Sequence, residues 1–434
     1  MMKRIKKVLL EDETVTANYK NASDFKYMKS LRFNLNILNA WPGNKIEGNQ
    51  SKYQILINFG VFLTSLICLC GSLHYMKINW NILSFYELGH MYIVLLMTVV
   101  EMSRIFLTLP QSTKYMNVGE VFLTKMHLIY FKDVSEYAKK TYRKINKISE
   151  LYSLFLTVQM FVGMILFNVI PMWTNYSSGK FKERILHNST YEHALYLSLP
   201  PLKIYTHIDA YVFAALLYCF MSYACSIAFC MLDLLLSLMI FNLWGHFKIL
   251  LHDLKTFPLP STEVVSTMNT SVFTKMYSEE ESKIIFQKLK QCIDYHRLIS
   301  DFTDNISAAF GPMLFVYYVF HQVSGCLLLF ECSQMTAEAL MRYLPLSVIL
   351  FQQLIQLSVI FELIGSTSEK LKDAVYGVPW QYMDTKNRRI VAIFLYYVQE
   401  PIHVKALGVI NVGVTTMATI LKTSLSYFTV LRSM

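Results

Sequence analysis

Apolar stretches long enough to cross a bilayer recur along this chain, and no other feature limits its fold as severely. Seven can be drawn, at about Tyr53–Met76, Leu83–Leu109, Ile148–Trp173, His207–Trp244, Ile299–Phe330, Leu344–Ile364 and Val404–Leu431. A helix needs roughly 20 residues to cross the hydrocarbon core. Inside lipid the backbone must satisfy its own hydrogen bonds, which a helix does within one segment. Of the 434 residues, 54% are hydrophobic and 16% charged, against about a quarter charged in soluble domains. Too little polar surface remains to cover a soluble core of this size. The expected class is therefore an all-α membrane protein with seven transmembrane helices. No internal repeat, low-complexity tract or Gly/Ser linker divides it, so a single domain over 1–434 is expected. The fourth stretch is too long for the membrane alone and should continue beyond it.

Basic residues orient the bundle, because Lys and Arg concentrate in cytoplasmic loops. The segments 1–51, 110–147, 245–300 and 366–390 hold 29 of the 40 Lys and Arg residues. This puts the amino terminus in the cytoplasm and, with seven spans, the carboxyl terminus outside. The opening "MMKRIKKVLL" is followed at once by "EDETVTANYK", so no signal-peptide core forms and the first spanning helix must do the targeting. The 174–206 loop is then external, and its sequons make Asn175 and Asn188 candidates for glycosylation. Asn21, Asn49 and Asn269 also lie in sequons, but on the cytoplasmic side.

Little in the chain points to catalysis. No Gly-rich phosphate loop, HExxH, nucleophile elbow or carboxylate pair occurs, and Glu192–His193 lacks a spaced partner. The eight cysteines form no CxxC pair or His/Cys cluster, which leaves a metal site without support; Cys326 and Cys332 could meet near the outer surface, but packing is the safer role. No cofactor, metal or nucleic-acid partner is expected.

The closing residues "TTMATILKTSLSYFTVLRSM" carry a different signal. Thr416, Thr419, Thr423, Ser426 and Ser433 recur at helical steps and draw one stripe of hydroxyls down an apolar rod. Val430 lies on the same stripe and Met434 continues it. Spacing alone leaves two readings: a water-facing wall, or hydroxyls that bond backbone and pack helices. Other polar residues within spans carry a high cost and so a purpose. Glu101 and Arg104, one turn apart, are expected to neutralise each other. Asp233, Asp301, Asp304 and Glu362 are expected to pin helices together. Lys422 sits mid-helix beside the stripe.

From Gly365 onward the sequence resembles the carboxyl-terminal signature of insect odorant receptors. The matching residues are Gly365, Ser368–Glu369, Leu371, Ala374, Tyr376, Trp380, Arg388–Arg389, Gln399, Pro401, Gly408 and the closing Ser-x-Ser-Tyr-Phe at 424–428. A G-protein-coupled receptor would have the opposite orientation, an acidic-Arg-aromatic triplet after its third helix and Asn-Pro-x-x-Tyr in its seventh. The last-helix pattern of the related gustatory receptors is also missing, as is the co-receptor's long insertion before helix five, so a ligand-tuning subunit is favoured.

That resemblance implies a tetrameric, odorant-gated, non-selective cation channel in the plasma membrane of olfactory neurons, assembled with a shared co-receptor. The seventh helix would line the pore, with Val430 and Met434 as its hydrophobic constriction and Ser426, Thr423, Thr419 and Thr416 as its polar wall. It also implies an odorant pocket in the outer half of helices two to six. A volatile ligand offers few hydrogen bonds, so apolar and aromatic walls with one or two polar groups are expected. By depth and facing, the candidates are Tyr86, His90, Val94, Met160, Gly163, Phe167, Tyr211, Ala215, Tyr218, Phe320 and Ser324.

Overall fold

A computed structural model describes residues 16, 18–44, 52–83, 85–108, 113–187, 189–198, 200–261, 276–333 and 337–433. Its helices are α1 (Lys26–Ile37), α2 (Lys52–Asn79), α3 (Phe85–Thr108), α4 (Thr113–Val121) and α5 (Glu136–Ser177). They continue as α6 (Ile208–Ser226), α7 (Leu232–Lys255), α8 (Glu279–Cys332), α9 (Ala337–Ser368), α10 (Leu371–Tyr376), α11 (Thr385–Tyr397) and α12 (Val414–Ser433). A π-helical segment, Ile227–Met231, joins α6 to α7 into one rod. Among the described residues, five helical stretches are long and apolar enough to cross a membrane: Leu56–Asn79, Glu136–Ser177, Ile208–Lys255, Glu279–Cys332 and Leu346–Tyr382. The other two expected spans coincide with α3 and α12. Exposed apolar side chains form a belt that suits lipid, among them Phe59 and Ile67 on α2, Val158 and Ile165 on α5, and Leu216 on α6.

Several helices run past the expected limits, and local chemistry explains each. α8 begins twenty residues before Ile299 because Ser278 and Glu281 form a capping box: the Ser278 hydroxyl accepts from Glu281 N, and the Glu281 carboxylate accepts from Ser278 N. Its polar first half still buries Ile285, Leu289 and Cys292 at helical steps, against α7 and α11. At ~1.5 Å per residue, its 54 residues reach about 81 Å, far beyond one bilayer core. α5 starts twelve residues before Ile148, where the Ser135 hydroxyl accepts from Ala138 N.

The last helix behaves in the opposite way. It starts ten residues after Val404, because 404–413 folds into a short hairpin pairing Lys405 with Asn411 and Ala406 with Ile410. Leu407 and Gly408 turn it with positive φ, 49° and 73°. Glycine takes that conformation freely, whereas the leucine carries a cost of roughly 1–2 kcal/mol. Glu362 of α9 then accepts a hydrogen bond from Val414 N at 3.0 Å and so caps α12. Glu362 thus pins two helices, as expected.

α7 is the centre of the molecule. Nearly every residue from Leu232 to Leu254 is buried, and a helix apolar on all sides belongs inside. α5, α8 and α9 surround it. The end of the bundle that holds α1, called the base here, is closed by Phe25, Leu31, Leu35 and Trp41, all fully buried. Tyr27 anchors this cap, donating to Asn146 Oδ1 at 3.1 Å beside His127 Nε2 at 3.3 Å. Burial pushes the His127 imidazole down to about 3, so it stays neutral. The opposite end, the top, is covered by the 178–207 loop. Every cysteine is free, Cys326 and Cys332 included.

Candidate functional site

α12 divides its sequence between two faces. Ile420 and Ser424 are buried and Met417 and Leu421 pack against the core, which sets the inward side. Ser424 is fully enclosed and accepts from Gln322 Nε2 of α8 at 3.1 Å. The hydroxyl that holds this helix in place is therefore off the stripe. The stripe occupies the outward half: Thr416 and Thr423 are half-buried, Thr419 and Ser426 are exposed, and Val430 is 51% exposed. Thr419 and Thr423 donate to the carbonyls of Thr415 and Thr419 at 3.0 and 2.7 Å, and Thr416 donates to Asn411 O. With their protons committed inward, these oxygens offer lone pairs to whatever lies outside. Lys422 is exposed at the edge of the stripe. Met434 and the Leu431 side chain lie outside the described residues.

A second polar feature runs through the bundle between α3, α7 and α8. Arg104 Nη1 donates to Asp233 Oδ1 at 2.9 Å, to Ala228 O at 2.9 Å and to Phe229 O at 3.1 Å. The π-helical segment makes this possible, since its altered ladder turns carbonyls toward a neighbour. The guanidinium also sits 4.6 Å from the Phe229 ring centre and 5.4 Å from that of Tyr317. Arg104 is thus neutralised across the bundle by Asp233, not by Glu101 as its spacing suggested. Asp233 pins helices as expected, whereas Asp301 pairs weakly with Arg297 of its own helix and both it and Asp304 are exposed.

Toward the top, α8 presents Tyr317, His321, Ser324, Leu328 and Glu331 along one buried stripe. His321 and Ser324 are fully buried. Both His321 ring nitrogens, Ser324 Oγ and the Tyr317 hydroxyl lack a hydrogen-bond partner among the described residues. Ile93, Val100, Phe229, Phe320, Leu328 and Leu350 form an apolar cluster here, with the Arg104 guanidinium at its edge against Phe229 and Tyr317. Phe320 and Ser324, both expected to touch ligand, stand one turn apart on this buried side of α8. His321 was missed, although it stands one turn before Ser324 on the same face.

The other candidates do not converge. Val94 lines a crevice with Ser72, Met91, Leu195 and Tyr196. Tyr211, Ala215 and Tyr218 line a separate one with Asn168 and His193. Neither encloses more than about 10 Å³, against the roughly 300–1,000 Å³ usual for ligand pockets. Met160 is buried in the main core, and Phe167 packs under the top loop with Cys68 and Leu197. Gly163 faces outward, and a Cβ there would meet nothing within 4 Å. These candidates lie in separate parts of the bundle, because equal depth on different helices does not by itself bring side chains together. The side chains of Tyr86 and His90 lie outside the described residues.

The top loop also revises the sequon reading. Asn175 is fully buried, and its Nδ2 donates to Glu192 O at 2.8 Å and to the Tyr211 hydroxyl at 3.1 Å. The nitrogen that would carry a glycan instead fastens the loop to α5, so Asn175 is structural. Asn188 lies outside the described residues. His193, set aside in the sequence for want of a spaced partner, is held by the loop: its Nε2 lies 3.1 Å from Ile204 O, its ring packs against Tyr205, Tyr211 and Tyr218, and Nδ1 has no partner among the described residues. Burial pushes its pKa down to about 4. A histidine in a coil has no periodicity to betray its facing.

With this geometry in view, comparison with known proteins is informative. A family model described as 7tm odorant receptor matches residues 84–425. Putative odorant receptor 85d of Drosophila melanogaster is 26% identical over 150 residues, covering 34% of this chain and 36% of that protein. Odorant receptor 85c of the same species is 27% identical over 149 residues, covering 34% and 38%. The match therefore spans little more than a third of either relative's length. The solved olfactory receptor OR5 of Machilis hrabei superposes with a TM-score of 0.73 at 13% identity, covering 97% of this chain and 99% of that one. Its complex with eugenol gives 0.72, also at 13% identity, covering 94% and 98%. At such identity the likeness establishes the fold.

Proposed function

The chain belongs to the 7tm odorant receptor family, and from that premise we propose that it is the ligand-tuning subunit of an odorant-gated, non-selective cation channel built with co-receptor subunits. The observation that carries this reading is the outward hydroxyl face of α12. A membrane helix that packs one side into its bundle and leaves Thr419, Thr423 and Ser426 outward has a wet surface to supply. Lone pairs on that surface suit cations passing along it. Val430 then places an apolar ring near the end of the path, which closes it by dewetting. The proposed orientation has seven spans, a cytoplasmic amino terminus and an external carboxyl terminus.

The ligand site of this reading is the apolar cluster at Phe229 and Phe320, with His321 and Ser324 as its polar groups. A ligand that hydrogen-bonds these groups relieves an unmet demand in a low-dielectric interior, whereas a hydrocarbon does not. Gln322, adjacent to His321, holds Ser424 of α12. A shift of this turn of α8 on ligand binding therefore reaches the pore helix directly.

The test is co-expression. With co-receptor, the chain should give odorant-evoked currents within milliseconds and without GTP. Alone it should give none, and an amino-terminal tag should stain only in permeabilised cells. Large currents without a partner would contradict the heteromer. Block by a G-protein inhibitor, or a tag that stains in intact cells, would contradict the channel topology.

A further inference from the structure

Near the base, Ile145 of α5 packs against Gly245 of α7, and Trp244 of α7 hydrogen-bonds Thr367 at the end of α9, which gathers Lys144, Lys248 and Lys370 around one spot; Lys144 and Lys370 both bear on Lys248. Lys144 and Lys370 are exposed and Lys248 is half-buried. Among the described residues none of the three is in an ion pair. Arg143 and Lys147, both exposed, extend the patch along α5, and Lys372 borders it. The cluster is also built on a fixed platform. Lys248 Nζ lies 3.3 Å from the ring centre of Trp244, and Trp244 Nε1 donates to Thr367 Oγ1 at 3.1 Å, which locks the indole across α7 and α9.

Its depth matters as much as its charge. Exposed large apolar side chains on α5 run from Tyr176 at the top to Leu151. Lys147 and Lys144 follow at about 6 and 10 Å along the helix, the level of lipid headgroups beneath an apolar belt ending at Leu151. Facing cations repel each other, and a multivalent anion among them removes that penalty. Basic pockets between transmembrane helices on the cytoplasmic side bind phosphorylated headgroups for this reason.

We propose that Lys144, Lys248 and Lys370, seated around Trp244, bind the phosphorylated headgroup of an anionic inner-leaflet lipid of the phosphoinositide class. The shared chemistry is a cluster of phosphates; the position at the edge of the apolar belt assigns the source to the membrane.

The experiment titrates short-chain fluorescent phosphatidylinositol bisphosphate into the purified full chain in neutral detergent. Replacing all three lysines with glutamine should weaken binding roughly a hundredfold, about 2.7 kcal/mol shared among the three charges. The triple Lys→Arg variant should retain binding, which separates charge from folding. A control with Lys180, Lys182 and Lys203 changed to glutamine, all in the top loop, should bind as the unmodified chain does. Unchanged binding in the glutamine triple, or equal loss in the arginine triple, overturns the site. In a second arm, inositol trisphosphate should compete only weakly; competition as strong as the lipid's own overturns the assignment to a membrane source.

Discussion

His321 is the residue whose chemistry separates a ligand site from an ordinary core. A buried imidazole with both nitrogens unmet among the described residues is costly, and a ligand hydroxyl or carbonyl can relieve it. His321→Phe keeps the ring and the volume class but removes the polar atoms. It should weaken hydrogen-bonding odorants by about 0.5–1.5 kcal/mol, roughly twofold to tenfold in half-maximal concentration, and spare hydrocarbons of similar size. An equal shift for all odorants would make His321 a packing residue. His193 gives a prediction in pH. Its folded pKa, about 4, lies below the ordinary value of about 6.5. The unfolded chain therefore binds the proton first, and the stability that neutral His193 contributes is complete above about pH 6.5 and lost as pH falls toward 4. Thermal melts across that window should show a shallower loss of Tm in His193→Gln; His127, depressed in the same sense, remains in both proteins. Equal slopes would show that His193 titrates freely. The burial of neither histidine was legible in the sequence for the same reason: it depends on which elements meet, and one chain's periodicity reports only its own facing.

At the scale of elements, type and order were legible and limits were not. Apolar runs marked the membrane portions, but α5 and α8 extend on caps and amphipathic stripes that hydropathy does not register. The hairpin before α12 was invisible for the opposite reason, since its valines and isoleucine read as more of the same span. The Arg104–Asp233 bridge shows the limit most clearly. Sequence offered Glu101 as the nearest acid, but a π-helical segment aimed α7 and its carbonyls at Arg104 instead. Asp233→Asn should cost about 3–5 kcal/mol by leaving a buried guanidinium uncompensated. Arg104→Met combined with Asp233→Leu should recover most of that in a thermal melt of the purified protein. A double variant as unstable as the single one would show that the bridge is not what joins α3 to α7.

At the scale of the whole molecule, two features make the protomer incomplete by itself. Its flanks carry an apolar belt that requires lipid, and α12 carries a hydroxyl face that requires water. In the proposed channel a pore shared by several subunits gives that second face its place, and the Gln322–Ser424 contact links it to the proposed ligand site. The stripe was fully legible from spacing; its outward facing was not, because only packing distinguishes Ser424, which holds the helix, from Ser426 two residues later. The most direct test is therefore cysteine accessibility on α12 in the channel co-expressed with co-receptor. Val430→Cys should react with a small cationic thiol reagent applied from outside, faster in the presence of odorant, and the reaction should alter the current. Ser424→Cys, on the inward face, should not react. Modification of position 424 with an inert position 430 would mean that α12 turns its other side to the pore, and the channel account built on this stripe would fail.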